Sequence, residues 1–289
     1  MNDQTTVKRL RTYVPDGHFQ FEDNLCVGVH LVDPTCLYHG QIRHLTPSDK
    51  KEVLRLISKL ESLKYLDLRK NRLGPIPFLG LQKLEYVDLA SNYMGEVPNW
   101  LHGLPLQYLN LGVNLIKTVP DWFSEFTEIK VLKLHKNNIR TVEPIRPCKQ
   151  LTFLNLYFNW MKEIPNLVWS LKELEFFSWG VSGIESLPEE IGQWKKLKWL
   201  SMVANKITHM PDSFCELLEL RGARLHKNHL ESLPEDIGNL HKLEQLTLYK
   251  NNLKSLPPSF RKLNLKKLNL ARNKFKTPPQ IKATEWIIT

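Results

Sequence analysis

The chain has 289 residues, of which 42% are hydrophobic and 24% are charged, and its formal net charge is +10. This composition excludes an intrinsically disordered protein, and no window approaches the ~20 consecutive apolar residues of a membrane-spanning helix. Residues 242–289 carry 11 basic and 2 acidic side chains, whereas residues 1–62 carry 8 of each. A basic end of this kind can attract acidic protein, anionic lipid or nucleic acid, and the alternative is that it only keeps the chain soluble.

The cysteine content favours a reducing compartment. Four cysteines are too few and too scattered for a disulfide framework in a chain of this length, and no Asn-x-Ser/Thr glycosylation acceptor is present. The first residues, MNDQTTVKRLRT, contain no apolar run that could form the core of a signal peptide. We therefore expect an intracellular, cytoplasmic protein.

The N-terminal segment predicts two elements. Residues 19–32 alternate apolar and polar positions around the turn sequence Glu-Asp-Asn, which predicts a β-hairpin. Residues 46–60 start with Thr46 as N-cap and Pro47 in the first turn, and their apolar residues share one face, which predicts a helix. We assign residues 1–62 to an N-terminal cap formed by this hairpin and helix.

The same segment contains a candidate metal site. Cys26, His30, Cys36 and His39 are residue types that bind zinc, but their spacing matches no standard zinc finger. If residues 25–32 form a strand, Cys26 and His30 lie on one face of it. Half-buried cap residues without a metal are the alternative, and we predict no cofactor.

A repeat of about 23 residues organises the rest of the chain. The Leu-x-Leu alternation within it places apolar side chains on one face of a short strand, and its Asn can hydrogen-bond the turns of neighbouring units. Because no unit can bury its leucines alone, the units must stack. The pattern Leu-x-x-Leu-x-Leu-x-x-Asn-x-Leu starts at Leu63, Leu84, Leu106, Ile129, Leu151, Leu174, Leu197, Leu220, Leu243 and Leu265.

The copies LEQLTLYKNNLKSLP and LKYLDLRKNRLGPIP follow the pattern best, and residues 63–279 resemble the leucine-rich-repeat family. Continuations such as SLPEEIGQWKKL resemble the form found in intracellular plant Ras-group repeat proteins and in bacterial effectors. The resemblance implies an α/β solenoid, a curved horseshoe whose parallel strands line a concave face, with residues 280–289 as a C-terminal cap or tail. It also implies a role as adaptor, scaffold, regulator or effector, and an effector would act in the cytosol of a host cell.

The sixth unit, LEFFSWGVSGIESLP, departs from the pattern. Trp179 takes the place of the third leucine and Ser182 takes the place of the Asn. Two interpretations stay open: an irregular repeat that the stack tolerates, or a local widening that admits a side chain of a partner.

Candidate binding residues form columns on the predicted concave face. The third residue of each of the first seven units is aromatic or aliphatic, and the middle units add apolar residues at the seventh and eighth positions. Aromatic patches of this extent mark interfaces, although neighbouring rings could instead stack and stabilise the sheet. In the last repeats the face becomes basic and polar. The predicted partner-binding residues are Tyr86, Tyr108, Phe153, Tyr157, Phe158, Phe176, Trp199, Arg224, His226, Lys227, Tyr249 and Lys250.

The fifth residues of the first units are acidic. Asp67 and Asp88 fall one strand apart, and we expect them to be solvated surface groups whose repulsion Arg69 or a cation from a partner could relieve. Acid/base catalysis by this pair would need a substrate pocket that the sequence does not indicate. The sequence contains no phosphate-binding glycine loop, His-Glu-x-x-His motif or nucleophile elbow, so we predict no catalytic residues.

The sequence therefore predicts a non-enzymatic interaction module, a monomer that binds a protein partner, one with an acidic region, on the concave face. Two alternatives stay open. The basic C-terminal repeats could bind anionic lipid or nucleic acid, which predicts loss of binding at raised salt. The chain could also be the substrate-recognition part of a larger enzyme, such as a ubiquitin ligase.

Overall fold

The computed structural model describes residues 2–31, 44–77, 80–277, 279 and 283–287. The chain divides into two compact units, Met1–Cys148 and Lys149–Thr289. Each unit is a stack of repeats and is described by itself.

The first unit begins with two helices that flank a hairpin. Helix α1 (Asp3–Leu10) is capped by the side chain of Asn2. Strands β1 (His18–Glu22) and β2 (Leu25–His30) pair antiparallel. Helix α2 (Pro47–Ile57) begins at Thr46, whose hydroxyl accepts a hydrogen bond from the Asp49 N–H at 3.1 Å. This cap satisfies a backbone donor that the first helical turn would leave unpaired.

A parallel sheet follows in the first unit. Strand β2 pairs with the first repeat strand, and every later strand pairs with the next one along the chain. Short 3₁₀ helices at Asn99–Leu101, Asp121–Glu125 and Glu143–Ile145 return the chain between strands. The repeat strands are β3 (Tyr65–Asp67), β4 (Tyr86–Asp88), β5 (Tyr108–Asn110) and β6 (Val131–Lys133).

The second unit continues the same design. Its strands are β7 (Phe153–Asn155), β8 (Phe176–Ser178), β9 (Trp199–Ser201), β10 (Gly222–Arg224), β11 (Gln245–Thr247), β12 (Leu265–Asn269) and β13 (Ala283–Ile287), and the paired strands run parallel. The returning segments are helix α3 (Asn166–Trp169) and 3₁₀ helices at Glu189–Gln193, Asp212–Glu216, Ile237–Asn239 and Pro258–Lys262. Strand β13 adds to the sheet after the last repeat and was not predicted.

The asparagines form the predicted ladder between repeats. The Asn114 amide donates to the carbonyl oxygens of Leu89 and Leu111 at 3.1 and 3.0 Å, and its oxygen accepts from the N–H groups of Asn92 and Met94 at 3.0 Å. One buried side chain thereby satisfies backbone groups of two successive repeats.

The irregular sixth repeat keeps the core filled. Trp179 is fully buried in the place of a leucine. Within the described residues, the Ser182 hydroxyl donates one hydrogen bond, to the carbonyl oxygen of Gly180 in its own turn at 3.3 Å. The Ser182 N–H reaches the Asn205 side chain of the next repeat at 3.2 Å, so the ladder continues there through the backbone.

Candidate partner-binding face

The third and fifth residues of each repeat form the exposed face of the sheet. Within one strand, Tyr65 is 40% exposed, whereas its neighbour Leu66 is fully buried. The alternation places the leucines inside and the predicted binding columns outside. The third-position side chains are half-buried in most repeats, and several of their rings stack on the ring of the next repeat.

The tyrosines of the first unit stack on one another. The ring centroids of Tyr86 and Tyr108 lie 4.0 Å apart with an interplanar angle of 12°, and those of Tyr65 and Tyr86 lie 5.6 Å apart. This is the stacking arrangement that stabilises neighbouring strands. A binding role for Tyr86 and Tyr108 stays a prediction.

The expectation that Asp67 and Asp88 are solvated is wrong. Asp67 is 2% exposed and Asp88 is fully buried. The Arg69 guanidinium lies 2.8 Å from the Asp67 carboxylate, and the Asp88 carboxylate accepts hydrogen bonds from the Asn110 amide at 2.9 Å and the Ala90 N–H at 3.0 Å. Side chains of the same face thus cover and bond these carboxylates.

Burial and repulsion change how Asp88 titrates. Burial, and then the adjacent Asp67 carboxylate, raise the pKa of Asp88. Burial and the Asp88 charge likewise raise the pKa of Tyr108, whose hydroxyl accepts a hydrogen bond from the Lys133 ammonium at 2.9 Å. Burial lowers the pKa of Lys133. The polar groups of this face therefore bond mainly to one another.

A glycine brings one more ring into the face of the first unit. A Cβ on Gly112 would overlap the imidazole of His135. Burial, followed by Lys136 and Lys133, lowers the pKa of His135 to about 4, so this imidazole is neutral at physiological pH.

The exposed face of the second unit contains an open cavity of about 370 Å³. Tyr157, Phe176 and Trp199 form its aromatic part, and Arg224 and His226 form its polar part. Five sequence-predicted binding residues from three repeat positions are therefore brought together. An apolar concavity with a few polar groups is the usual form of a binding pocket.

Two glycines make room for the rings of this cavity. A Cβ on Gly222 would overlap the Trp199 ring, and a Cβ on Gly180 would lie 2.9 Å from the Tyr157 ring. Phe176 is held by Phe153, since their rings stack in parallel with centroids 4.0 Å apart. The aromatic wall is thereby fixed before any partner binds.

The polar wall combines a cation with a neutral ring. Burial, then Lys227 and Arg224, lower the pKa of His226. His226 Nδ1 lies 3.1 Å from the Thr247 hydroxyl, and its ring stacks on Tyr249 with centroids 5.0 Å apart. Among the described residues, Arg224 forms no ion pair, so its guanidinium can pair with a partner.

A row of residues follows the C-terminal ends of the strands in the second unit. Each precedes the conserved-pattern Asn or Ser of its repeat and has a left-handed backbone, with φ between 54° and 59°. We call this set the rim row: Phe158, Val181, Ala204, Lys227, Lys250 and Arg272. The predicted residues Phe158, Lys227 and Lys250 belong to it.

Sequence reasoning missed two apolar residues of this region. Val203 lines the cavity, and Trp160, directly after the Asn of the fifth repeat, is 63% exposed. Val203 is one of the apolar seventh-position residues of the middle units, but it is not among the predicted binding residues. The sequence feature that could have identified Trp160 is a large aromatic residue directly after the repeat Asn, where the strand has ended.

The candidate metal ligands are not brought together among the described residues. Cys26 is buried, its thiol lies 3.5 Å from the Gly28 carbonyl oxygen, and burial raises its pKa to about 11. His30 Nδ1 lies 3.9 Å from the Asp67 carboxylate. Cys36 and His39 lie outside the described residues, and in the described part no three His, Cys, Asp or Glu side chains could hold a metal.

Known proteins with this sequence pattern and fold support the repeat assignment. Leucine-rich-repeat family models match residues 61–116 and 242–263. A leucine-rich-repeat protein of Leptospira interrogans is 34% identical, with a TM-score of 0.72 over 77% of this chain and 58% of that chain. An internalin, InlF, from Listeria monocytogenes shares the fold, with 16% identity and a TM-score of 0.67 over 96% of this chain and 77% of that one.

A plant receptor shares the fold as well. The leucine-rich-repeat ectodomain of the membrane receptor kinase GASSHO1/SCHENGEN3 from Arabidopsis thaliana, solved in complex with CASPARIAN STRIP INTEGRITY FACTOR 2, is 27% identical, with a TM-score of 0.67. The match covers 77% of this chain and 28% of the ectodomain. No curated protein sequence matches this chain.

The chain is a leucine-rich-repeat protein, and the predicted α/β repeat solenoid with a parallel sheet is confirmed. The fold is that of protein-interaction modules in general. The chain spans 58% of the Leptospira protein and 28% of the plant ectodomain. In the described residues, no helix is both long enough and apolar enough to cross a bilayer.

Proposed function

We propose that this chain is a non-enzymatic module that binds a protein partner on the exposed face of its sheet. The observation that carries the proposal is the cavity of about 370 Å³ between the Trp199 and Arg224 columns. Stiff aromatic walls beside an unpaired guanidinium are typical of the centre of a protein interface. We propose that a partner side chain enters this cavity.

The remaining features support the same proposal. The related plant ectodomain is solved in complex with CASPARIAN STRIP INTEGRITY FACTOR 2, which is an example of a bound ligand on this fold. Cys26, Cys148 and Cys215 are buried thiols, which suits a reducing compartment. We therefore propose a monomeric adaptor, regulator or effector that acts in the cytoplasm, with residues 1–62 and 280–289 as the caps of the repeats.

Photo-crosslinking tests where the partner binds. A benzoylphenylalanine replaces Val203, which lines the cavity, and in a control protein it replaces Leu218, an exposed apolar residue that does not line the cavity. We expect a defined protein from cell lysate to crosslink at position 203 and not at position 218. Trp199→Ala in the first protein should abolish that product, with circular dichroism confirming an intact fold.

The contrary outcomes are equally definite. Equal products at both positions, or no product at either, would show that the exposed face does not hold the partner. Retention of nucleic acid or lipid that moderate salt releases, without a protein product, would instead assign binding to the basic C-terminal repeats.

A further inference from the structure

The rim row changes chemistry along its length. At one end Phe158 and Val181 are 48% and 40% exposed, and Trp160 beside them enlarges the apolar surface. At the other end Lys227, Lys250 and Arg272 are exposed cations. One edge of the second unit thus joins an apolar half to a basic half.

Backbone hydrogen bonds hold the rim row in a continuous line. The Phe158 N–H donates to Gly180 O at 3.0 Å and the Ala204 N–H to His226 O at 3.1 Å. The N–H groups of Lys227 and Lys250 donate in the same way to the turn of the following repeat, at 2.9 Å each. Adjacent members therefore lie on adjacent turns, about 4.8 Å apart by the strand spacing.

This spacing sets the reach that a bound segment needs. Phe158 and Lys227 are three turns apart along the row, which is about 14 Å. An extended peptide rises about 3.3 Å per residue, so four or five residues span that distance.

In the second unit, lysines at the ends of the strands opposite the rim row form ion pairs. Lys196 pairs with Glu173, Lys198 with Glu175 at 2.8 Å, and Lys266 with Glu244 at 3.0 Å. These pairs repeat from one unit to the next. Their acidic partners come from the preceding repeat, so the charges cancel within the edge.

Three cations of the exposed face and rim row lack such partners among the described residues. Within the described residues, Arg224, Lys227 and Lys250 form no ion pair. An acidic partner would supply the missing carboxylates as charge-assisted hydrogen bonds. Arg224 in the cavity wall and Lys227 and Lys250 in the rim row are therefore available to an acidic partner.

We infer that the partner presents an extended segment in which a large apolar side chain and a cluster of acidic residues are separated by four or five residues. The apolar side chain lies on Phe158, Trp160 and Val181, the acidic cluster lies on Lys227 and Lys250, and Arg224 pairs beside the cavity. This inference rests on the proposed function and specifies the chemistry of the partner.

The arrangement favours a protein segment over the other anionic ligands. A protein that binds a flat anionic membrane needs cations spread over a flat face. These cations instead follow one line that ends in apolar residues. Single-stranded nucleic acid prefers rings interleaved with cations, but Phe158 and Trp160 lie in a different repeat from Lys227 and Lys250.

Selection from a displayed library of random peptides tests the inference with the full chain. The variant is Lys227→Glu/Lys250→Glu, and the matched control is Lys172→Glu/Lys262→Glu, which makes the same charge change at exposed residues away from the rim row. We expect the wild-type chain to select peptides with Asp or Glu clusters four or five residues from an aromatic or large aliphatic residue. Their affinity should fall roughly tenfold or more in the variant and less than about twofold in the control.

Three results would overturn the inference. Selected peptides could be neutral or basic, the two double variants could bind alike, or no peptide could be selected at all. Binding of phosphatidylserine vesicles or single-stranded DNA that the rim-row variant alone loses, together with non-acidic peptides, would assign the cations to those ligands. A protein crosslinked at position 203 in any of these cases would leave the proposed function standing while this inference fails.

Discussion

The exposed faces of the two units use the same repeat positions but differ in how they treat charge. In the first unit, the carboxylates of Asp67 and Asp88 are buried and bonded to Arg69 and Asn110. In the second unit, Arg224 stands beside an open cavity and forms no ion pair among the described residues. One face is closed by its own side chains, and the other is open to a partner.

The difference comes from side-chain size at equivalent positions. The third position holds Tyr86 and Tyr108 in the first unit, where the rings stack without a gap. In the second unit Gly222 follows Trp199 in the same column, and the fifth position carries the small residues Ser178 and Ser201. Small side chains next to large rings leave a concavity, so the repeat scaffold yields either a closed or an open face according to a few residues.

The largest expected effect concerns the asparagine ladder. Asn114→Ala removes an amide that bonds five backbone groups, and we expect a loss of about 3 kcal/mol in the free energy of unfolding. Ser182→Ala removes one local bond and should cost about 1 kcal/mol or less. Urea denaturation of both variants measures the two losses in unfolding free energy. Equal losses would mean that the ladder hydrogen bonds of the sixth repeat contribute as much as those of Asn114.

A second test compares two arginines. Arg69→Met leaves the buried Asp67 carboxylate without its cation, and we expect a cost of about 2 kcal/mol, below that of a fully buried pair because Arg69 is partly exposed. Arg224→Met should change stability by less than about 0.5 kcal/mol, since it has no acidic partner among the described residues. Thermal and urea unfolding check both values, and a large cost at Arg224 would show that the second face is closed as well.

A third test uses pH. Because the folded-state pKa of Asp88 is raised above its ordinary value of 3.8, the stability contributed by its protonated form is complete below pH 3.8 and is lost as the pH rises through the raised pKa. Asp88→Asn should flatten this part of the stability profile. The exposed control Asp212→Asn should leave it unchanged.

The contribution of Asp88 is the difference between the stability–pH profiles of the wild type and Asp88→Asn. His135 contributes the opposite slope, since its lowered pKa of about 4 means that stability is lost as the pH falls below 6.5. Arg69, Lys133 and Asp67 also face Asp88 and remain in the variant. Profiles of wild type and Asp88→Asn that stay parallel would show that Asp88 is not the titrating group.

The repeat pattern was sufficient to predict the strands. Every predicted unit start, from Leu63 to Leu265, lies at or two residues before the first residue of a strand, because Leu-x-Leu alternation and the Asn turn are local properties of the chain. Helix α1 was not predicted, since its buried residues Thr6, Val7 and Leu10 form too short a pattern.

The candidate site was only partly predictable. Columns on the exposed face follow from the register, which is why Tyr157, Phe176, Trp199, Arg224 and His226 were chosen and lie together. The burial of Asp67 and Asp88 depends on how side chains of neighbouring strands cover them, which a column of letters does not specify. The position of the Trp199 ring in the cavity wall likewise depends on Gly222, because the ring occupies the space that a Cβ would take.

The smallest effect on stability is expected at the apolar end of the rim row. Phe158 is 48% exposed, so its ring buries little surface on folding. Its φ of 58° is in the left-handed region, which is unfavourable for a bulky residue. Phe158→Ala should therefore change the free energy of unfolding by less than about 0.5 kcal/mol.

The same variant should lower the affinity for the partner that crosslinks at position 203 roughly tenfold or more, since an exposed ring at an interface contributes to binding rather than to folding. Tyr86→Ala is the matched change in the closed face, where the loss of a stacked ring should lower stability by about 1 kcal/mol or more. If Tyr86 only stacks, that partner stays bound, whereas the binding role predicted from the sequence would weaken its binding. Unfolding of Phe158→Ala, or loss of the partner in Tyr86→Ala with the fold intact, would remove the distinction between a closed and an open face.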